Sequence, residues 1–120
     1  MHAAQWLLQR LPARFSLIAS PALRAHQTAQ ALGVPIKAHE ALAPGASAKT
    51  IIAASGWPQN RGAIVVVGHQ PDLGRALAQL VCGAHGAWSI KKGALWWISN
   101  RVRDGDAQVV VRAVISPDLL

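Results

Sequence analysis

The chain has 120 residues and one cysteine; 52% of the residues are hydrophobic, and 12 Lys and Arg against 5 Asp and Glu give a formal net charge of +7. This composition argues against intrinsic disorder, and the length allows one domain, residues 1–120, with a core of its own. No apolar run reaches the roughly 18 residues that span a bilayer, and neither a signal peptide nor an internal disulfide is expected, so we predict a cytoplasmic protein without a membrane partner.

Predicted helices and strands alternate along most of the chain. In chain order we expect a helix at 3–10, a strand at 16–19, a helix at 22–32, a strand at 36–39, a helix at 48–54, a strand at 64–67 and a helix at 73–81. Two more strands, 94–99 and 109–115, flank residues 103–106 (RDGD), which indicate a hairpin. This order predicts an α/β fold in which helices flank a mixed sheet.

The start of the second predicted helix carries a candidate anion site in residues 20–29 (SPALRAHQTA). Ser20 is expected to cap the helix, and Pro21 suits its first turn because a backbone N–H has no helical partner there. Arg24 then lies near a helix amino end, where the backbone already favours anions. A guanidinium in that place can bind a phosphate with two parallel hydrogen bonds, although the same spacing also fits a solvated surface arginine.

A second candidate site lies in residues 63–74 (AIVVVGHQPDLG), where His69 follows a valine-rich strand that reads as buried on both faces. Ligands of open parallel sheets collect beyond the carboxyl ends of the strands. The imidazole of His69 and the guanidinium of Arg24 are therefore expected to converge at one edge of the sheet. The alternative is that His69 is a structural histidine.

Residues 20–29 (Ser-Pro-x-x-Arg-Ala-x-Gln-Thr-Ala) together with 66–71 (Val-Val-Gly-His-Gln-Pro) resemble the histidine phosphatase superfamily, in particular its short SixA-type phosphohistidine phosphatases. The similarity continues in residues 42–45, 91–97 and 116–119. It implies a phosphoglycerate mutase-like fold of three α/β/α layers around a mixed, mainly parallel sheet. It also implies that Arg24 and His69 bind the phosphoryl group of a phosphohistidine on a signalling or phosphotransfer protein. The implied reaction passes through a covalent phosphohistidine and uses no cofactor or metal.

One departure from the family concerns the phosphate acceptor. The family begins with a strand that carries Arg-His-Gly or Arg-His-Ala, whose histidine accepts the phosphoryl group. None of the five histidines here follows an arginine, and residues 1–10 resemble the family's first helix. The resemblance therefore implies that the family's central first strand is missing, that neighbouring strand edges are unpaired and that the chain as given is inactive and a poor monomer. The alternative is a non-catalytic module that binds phosphate or a phosphoprotein.

The remaining candidates rest on single residues. Glu40 could serve as a general acid, but an exposed loop carboxylate is the simpler interpretation. Gln70 could contact substrate or serve only in the turn, and Cys82 is expected to be a buried helix-end residue. His39 and His85 lack metal-ligand spacing with any partner, so no metal is predicted. The basic residues are scattered and match no nucleic-acid motif, so nucleic acid is the least favoured partner.

Overall fold

The computed structural model of the protein describes residues 2–59, 62–83 and 95–115. Its elements are α1 (His2–Leu8), β1 (Phe15–Ala19), α2 (Leu23–Gln30), β2 (Lys37–Ala38), a 3-10 turn (Glu40–Leu42), α3 (Ala48–Ser55), β3 (Ala63–Val67), α4 (Asp72–Cys82), β4 (Leu95–Arg103) and β5 (Asp106–Ile115). The order confirms the α/β class, and each predicted helix and strand has an observed counterpart. Of the sequence features named above, His85, residues 91–94 and residues 116–119 lie outside the described residues. None of the described helices is long and apolar enough to cross a bilayer.

A parallel sheet in the order β2-β1-β3 positions the ends of three strands together. The last residue of β1, Ala19, is opposite Val67, the last residue of β3. Two backbone hydrogen bonds continue the pairing past the strand ends, since Ser20 N–H donates to the Val67 carbonyl at 2.9 Å and His39 N–H donates to the Ala19 carbonyl at 2.8 Å. The residues that follow the strands therefore lie along one border of the sheet, the carboxyl edge (residues 20, 39 and 68–69).

The alternation of side chains along β1 separates two apolar clusters on opposite faces of the parallel sheet. On one face, Leu17 and Ala19 belong to a buried cluster that includes Leu7 of α1 and Ala29 of α2. On the other face, Ile18 packs in a cluster with residues of α3 and α4. Helices therefore cover both faces, as the three-layer expectation requires.

β4 and β5 form a two-stranded antiparallel sheet of their own. Asp104 and Gly105 have φ values of 53° and 83°, as a two-residue type I′ hairpin turn requires. This turn is shorter than the predicted loop at 103–106, so the strand pairing extends closer to the turn than expected. Trp97 of β4 stands edge-on to Trp6 of α1 with 6.4 Å between ring centroids, and this contact packs the hairpin against the helix.

Cys82 is the last residue of α4, and its side chain is exposed. The prediction of a buried cysteine is therefore wrong. The buried side of α4 runs through Ala76 and Ala78, and Cys82 lies one turn beyond them, past the part of the helix that packs on the sheet. The helix ends there because Gly83 adopts the left-handed conformation, with φ of 65°.

Candidate functional site

Three polar side chains from three different strand ends belong to the carboxyl edge. Ser20 follows β1, His39 follows β2, and His69 lies two residues beyond β3. They come together because parallel strands in register deliver their next residues to the same border of the sheet. The two segments singled out in the sequence, 20–29 and 63–74, therefore leave the sheet side by side.

His69 is half-buried and is held at two points. Its backbone carbonyl accepts a hydrogen bond from Leu73 N–H at 2.9 Å, at the start of α4. Its ring Nε2 lies 2.7 Å from Oγ of Ser20, a hydrogen bond that ties the end of β3 to the end of β1. Because both the backbone and the ring are fixed, the imidazole has a defined orientation, which a group that positions a charged ligand requires.

Ser20 is completely buried, and its hydroxyl connects the two candidate segments. In addition to the contact with His69, Oγ accepts a hydrogen bond from Ala22 N–H at 3.2 Å. A hydroxyl has one donor hydrogen and two acceptor lone pairs, so Ser20 can accept from Ala22 while it donates to Nε2. In that arrangement a neutral His69 carries its ring proton on Nδ1, which can then donate to a ligand.

The prediction that Ser20 caps α2 is wrong. The cap residue is Ala22, whose side chain makes no capping hydrogen bond, and the helix begins at Leu23. Pro21 consequently lies before the helix and not in its first turn. The physical reason is that the Ser20 N–H still pairs with the Val67 carbonyl, so this serine belongs to the end of the strand.

Arg24 is the second residue of α2, and its side chain is exposed. The helix is fixed to the sheet through Ala25 and Ala29, which are both buried. Because no side chain caps α2, the first N–H groups of the helix remain available, and both they and the guanidinium favour an anion. The carboxyl edge thus presents a cationic side chain on α2 and an oriented imidazole at the end of β3, a combination that can bind a phosphoryl group.

The remaining sequence candidates make local contacts at the same edge. Glu40 begins the 3-10 turn and is exposed. Nδ1 of His39 accepts a hydrogen bond from Ala41 N–H at 3.1 Å and caps that turn. Oε1 of Gln70 accepts from Gly74 N–H at 2.9 Å in the first turn of α4. The proposed acid role of Glu40 stays a prediction, and within the described residues no group of three or more His, Cys, Asp or Glu could hold a metal ion.

A comparison with solved structures bears on the fold. The structure of a candidate phosphohistidine phosphatase SixA from Nakamurella multipartitia matches this chain with a TM-score of 0.72 and 23% sequence identity. The match covers 97% of this chain and 78% of the other. The two chains share one fold. No protein-family model and no curated protein sequence matches the chain, and an identity of 23% establishes the fold alone.

Sequence reasoning did not find the hydrogen bond between Ser20 and His69. A serine before a proline at the start of a helix is typical of a cap, and that role was assigned to it. A usable signal was present, because two valine-rich or apolar strands of equal length in a parallel sheet bring the residues just beyond their ends together. The polar residues in those places are Ser20 and His69.

Replacing Ser20 by alanine is expected to lower the free energy of unfolding by about 1–3 kcal/mol, the cost of leaving a buried polar group unpaired. Both Nε2 of His69 and the N–H of Ala22 lose their partner. Ser16→Ala is the matched control, because Ser16 is exposed on the same strand. Urea unfolding measures both variants, and an equally small change in the two would show that the Ser20 hydroxyl fixes nothing.

Proposed function

We propose that the carboxyl edge is the phosphate site of a SixA-type phosphohistidine phosphatase, an enzyme that removes the phosphoryl group from a histidine of a signalling or phosphotransfer protein. The observation that carries the proposal is the 2.7 Å hydrogen bond between Ser20 and His69, at the edge beside which α2 presents Arg24. This bond joins the two segments through which the sequence resembles that family. The fold shared with a candidate phosphohistidine phosphatase supports the same assignment.

The chemistry asks for positioning and for stabilisation of negative charge. In phosphoryl transfer the charge develops on the equatorial oxygens of the transferred group. The planar fork of Arg24 suits two of these oxygens, and a ring N–H of His69 suits a third. Ser20 is a positioning residue, because it acts only through His69. The leaving imidazole of a phosphohistidine needs little help from an acid, so the reaction does not depend on Glu40.

The proposed reaction has two displacements at phosphorus. An acceptor histidine first attacks the phosphoryl group, the N–P bond of the substrate breaks, and the substrate imidazole leaves with a proton. Water then attacks the phosphohistidine of the enzyme, which releases inorganic phosphate and regenerates the acceptor. Arg24 and His69 bind the phosphoryl oxygens in both steps and form no covalent bond. The acceptor is a histidine that follows an arginine, and the 120 residues contain no such pair.

The chain as given is therefore expected to hydrolyse neither a phosphohistidine protein nor a generic phosphoester above background, since the covalent route has no nucleophile. Phosphate release from a phosphorylated histidine-containing phosphotransfer protein measures this. The matched sample is the same chain extended ahead of Met1 by a strand that ends in Arg-His, which is expected to turn over. Burst kinetics with a trapped phosphoenzyme on the unextended chain would contradict the prediction, and a folded extended chain without turnover would remove the phosphatase proposal.

A second candidate function is a non-catalytic module that binds phosphate or a phosphoprotein. The absence of an Arg-His pair from the 120 residues favours it. The DNA upstream of the codon for Met1 discriminates between the two functions. An in-frame strand that ends in Arg-His favours the phosphatase, whereas stop codons in that place favour the binding module.

A further inference from the structure

The apolar interior is interrupted between the two sheets. Among the described residues, β3 pairs with β1 along one of its edges and β4 pairs with β5 along one of its edges, and no described strand pairs with the other edge of either. A cavity of about 760 Å³ lies between them. Protein interiors otherwise pack at the density of organic crystals, so a space of this size inside a sheet indicates an occupant.

The walls of this cavity are those of a strand position. Its sides are formed by β3 at residues 63–66 and by β4 at residues 95–100. Leu7 and the end of α1 cover it from one face of the sheet, and Ile51 of α3 and Leu77 of α4 cover it from the other. A segment in this position has strands on both sides and helices above and below, which is the environment of a strand that is apolar on both faces.

We propose that this slot, defined by residues 63–66 and 95–100 with their covering helices, binds an extended apolar polypeptide strand that joins the two sheets into one. The strand comes from outside the 120 residues and pairs in parallel with β3. Main-chain hydrogen bonds to the free edge of β3 provide the affinity, and the apolar cover provides the selection for Val, Ile and Leu side chains. A strand of about five or six residues, the usual strand length, suits the five-residue β3 beside it.

Two observations select a strand over a compact ligand. Open strand edges require backbone donors and acceptors as partners, which an apolar small molecule does not offer. The fold match uses 97% of this chain and 78% of the other, so the neighbour has additional chain that can supply a further element.

The direction of the strand connects the slot to the carboxyl edge. A strand parallel to β3 ends on the same border as β3, where Ser20 and His69 lie. The residues that follow the bound strand are then delivered to the candidate phosphate site. That a histidine among them accepts a phosphoryl group rests on the proposed function, whereas the binding of the strand does not.

A synthetic peptide tests the slot on the full chain. The probe has two glutamates for solubility, five Val, Ile and Leu residues, and Arg-His-Gly at its carboxyl end. We expect a saturable rise in Tm with peptide concentration, because a ligand of the native state raises its apparent stability. We also expect slower hydrogen exchange at the backbone amides of β3. A peptide with proline in the middle of its apolar run is the control, since proline cannot complete the main-chain pairing.

Two variants of the chain locate the binding. Leu77→Trp fills the slot and is expected to abolish the response of Tm to the peptide. Leu23→Trp is the matched control, because Leu23 is 70% exposed on α2 and does not line the cavity. This variant is expected to respond to the peptide as the parent chain does.

Several results would overturn the strand slot. These are an unchanged Tm with unprotected β3 amides, an equal effect of the proline peptide, an equal response of Leu77→Trp, and a dimer in which β3 is already protected without peptide. Phosphatase activity is measured separately on the same mixture. Binding without turnover supports the slot and contradicts the proposed function, whereas binding with turnover supports both.

Discussion

Replacing Arg24 by alanine, in the chain extended by an Arg-His strand, is expected to lower the turnover of a phosphohistidine protein by about 10² to 10³ fold. The guanidinium is exposed at the start of α2, beside the carboxyl edge, and it has no packing role to lose. The effect therefore falls on the transition state and leaves the fold intact. Phosphate release under single-turnover conditions, together with a thermal melt of each variant, measures the two quantities separately.

Two further arginine variants make this test specific. Arg24→Lys is expected to recover only part of the lost rate, because an ammonium keeps the charge but cannot form two parallel hydrogen bonds with a phosphoryl group. Arg14→Ala is the matched control, since Arg14 is an exposed arginine that precedes β1 at the opposite border of the sheet. If Arg24→Ala turned over at the rate of Arg14→Ala, the assignment of Arg24 to the phosphate site would be wrong.

Replacing His69 by asparagine is expected to abolish the stabilisation of the chain by phosphate, vanadate or tungstate. An anion bound by the native state at 100 times its dissociation constant adds about 2.7 kcal/mol to the free energy of unfolding. The variant loses the ring N–H that contacts the anion and so loses this gain. Without anion its Tm falls only modestly, because one hydrogen bond to Ser20 contributes on the order of 1 kcal/mol.

The control for this experiment is His26→Asn. His26 is two residues from Arg24 on α2, and side chains two apart on a helix do not face each other. The His26 variant is expected to gain the same stability from the anion as the parent chain. A structural role of His69 gives the reverse result, with no response of the parent chain to the anion and a large loss of stability on substitution.

The strand at 64–67 and the position of His69 beyond it could be predicted from the sequence, because a run of valines bounded by glycine has few other structures open to it. The helix ends at Gly33 and Gly83 were equally readable, since only glycine takes the left-handed conformation at low cost. These features depend on the local chain. They give the α/β class and place the two motif segments at one edge of the sheet.

The features that could not be predicted depend on contacts across the fold. Ser20 has the local signature of a helix cap, but the pairing of its N–H with Val67 keeps it in the strand. Cys82 has the spacing of the buried side of α4, but the helix outruns the sheet there. The slot beside β3 also depends on tertiary packing, because its cover is formed by α1, α3 and α4 together.

Nuclear magnetic resonance of the histidine and arginine side chains during a titration with tungstate tests the phosphate site most directly. It needs no catalysis and uses the chain as given. We expect the ring ¹⁵N signals of His69 and the Nε signal of Arg24 to shift together along one saturable curve, and the His69 shift to disappear in Arg24→Ala. His69 signals that stay in place at high tungstate, or that shift equally in Arg24→Ala, would contradict a phosphate site formed by these two residues.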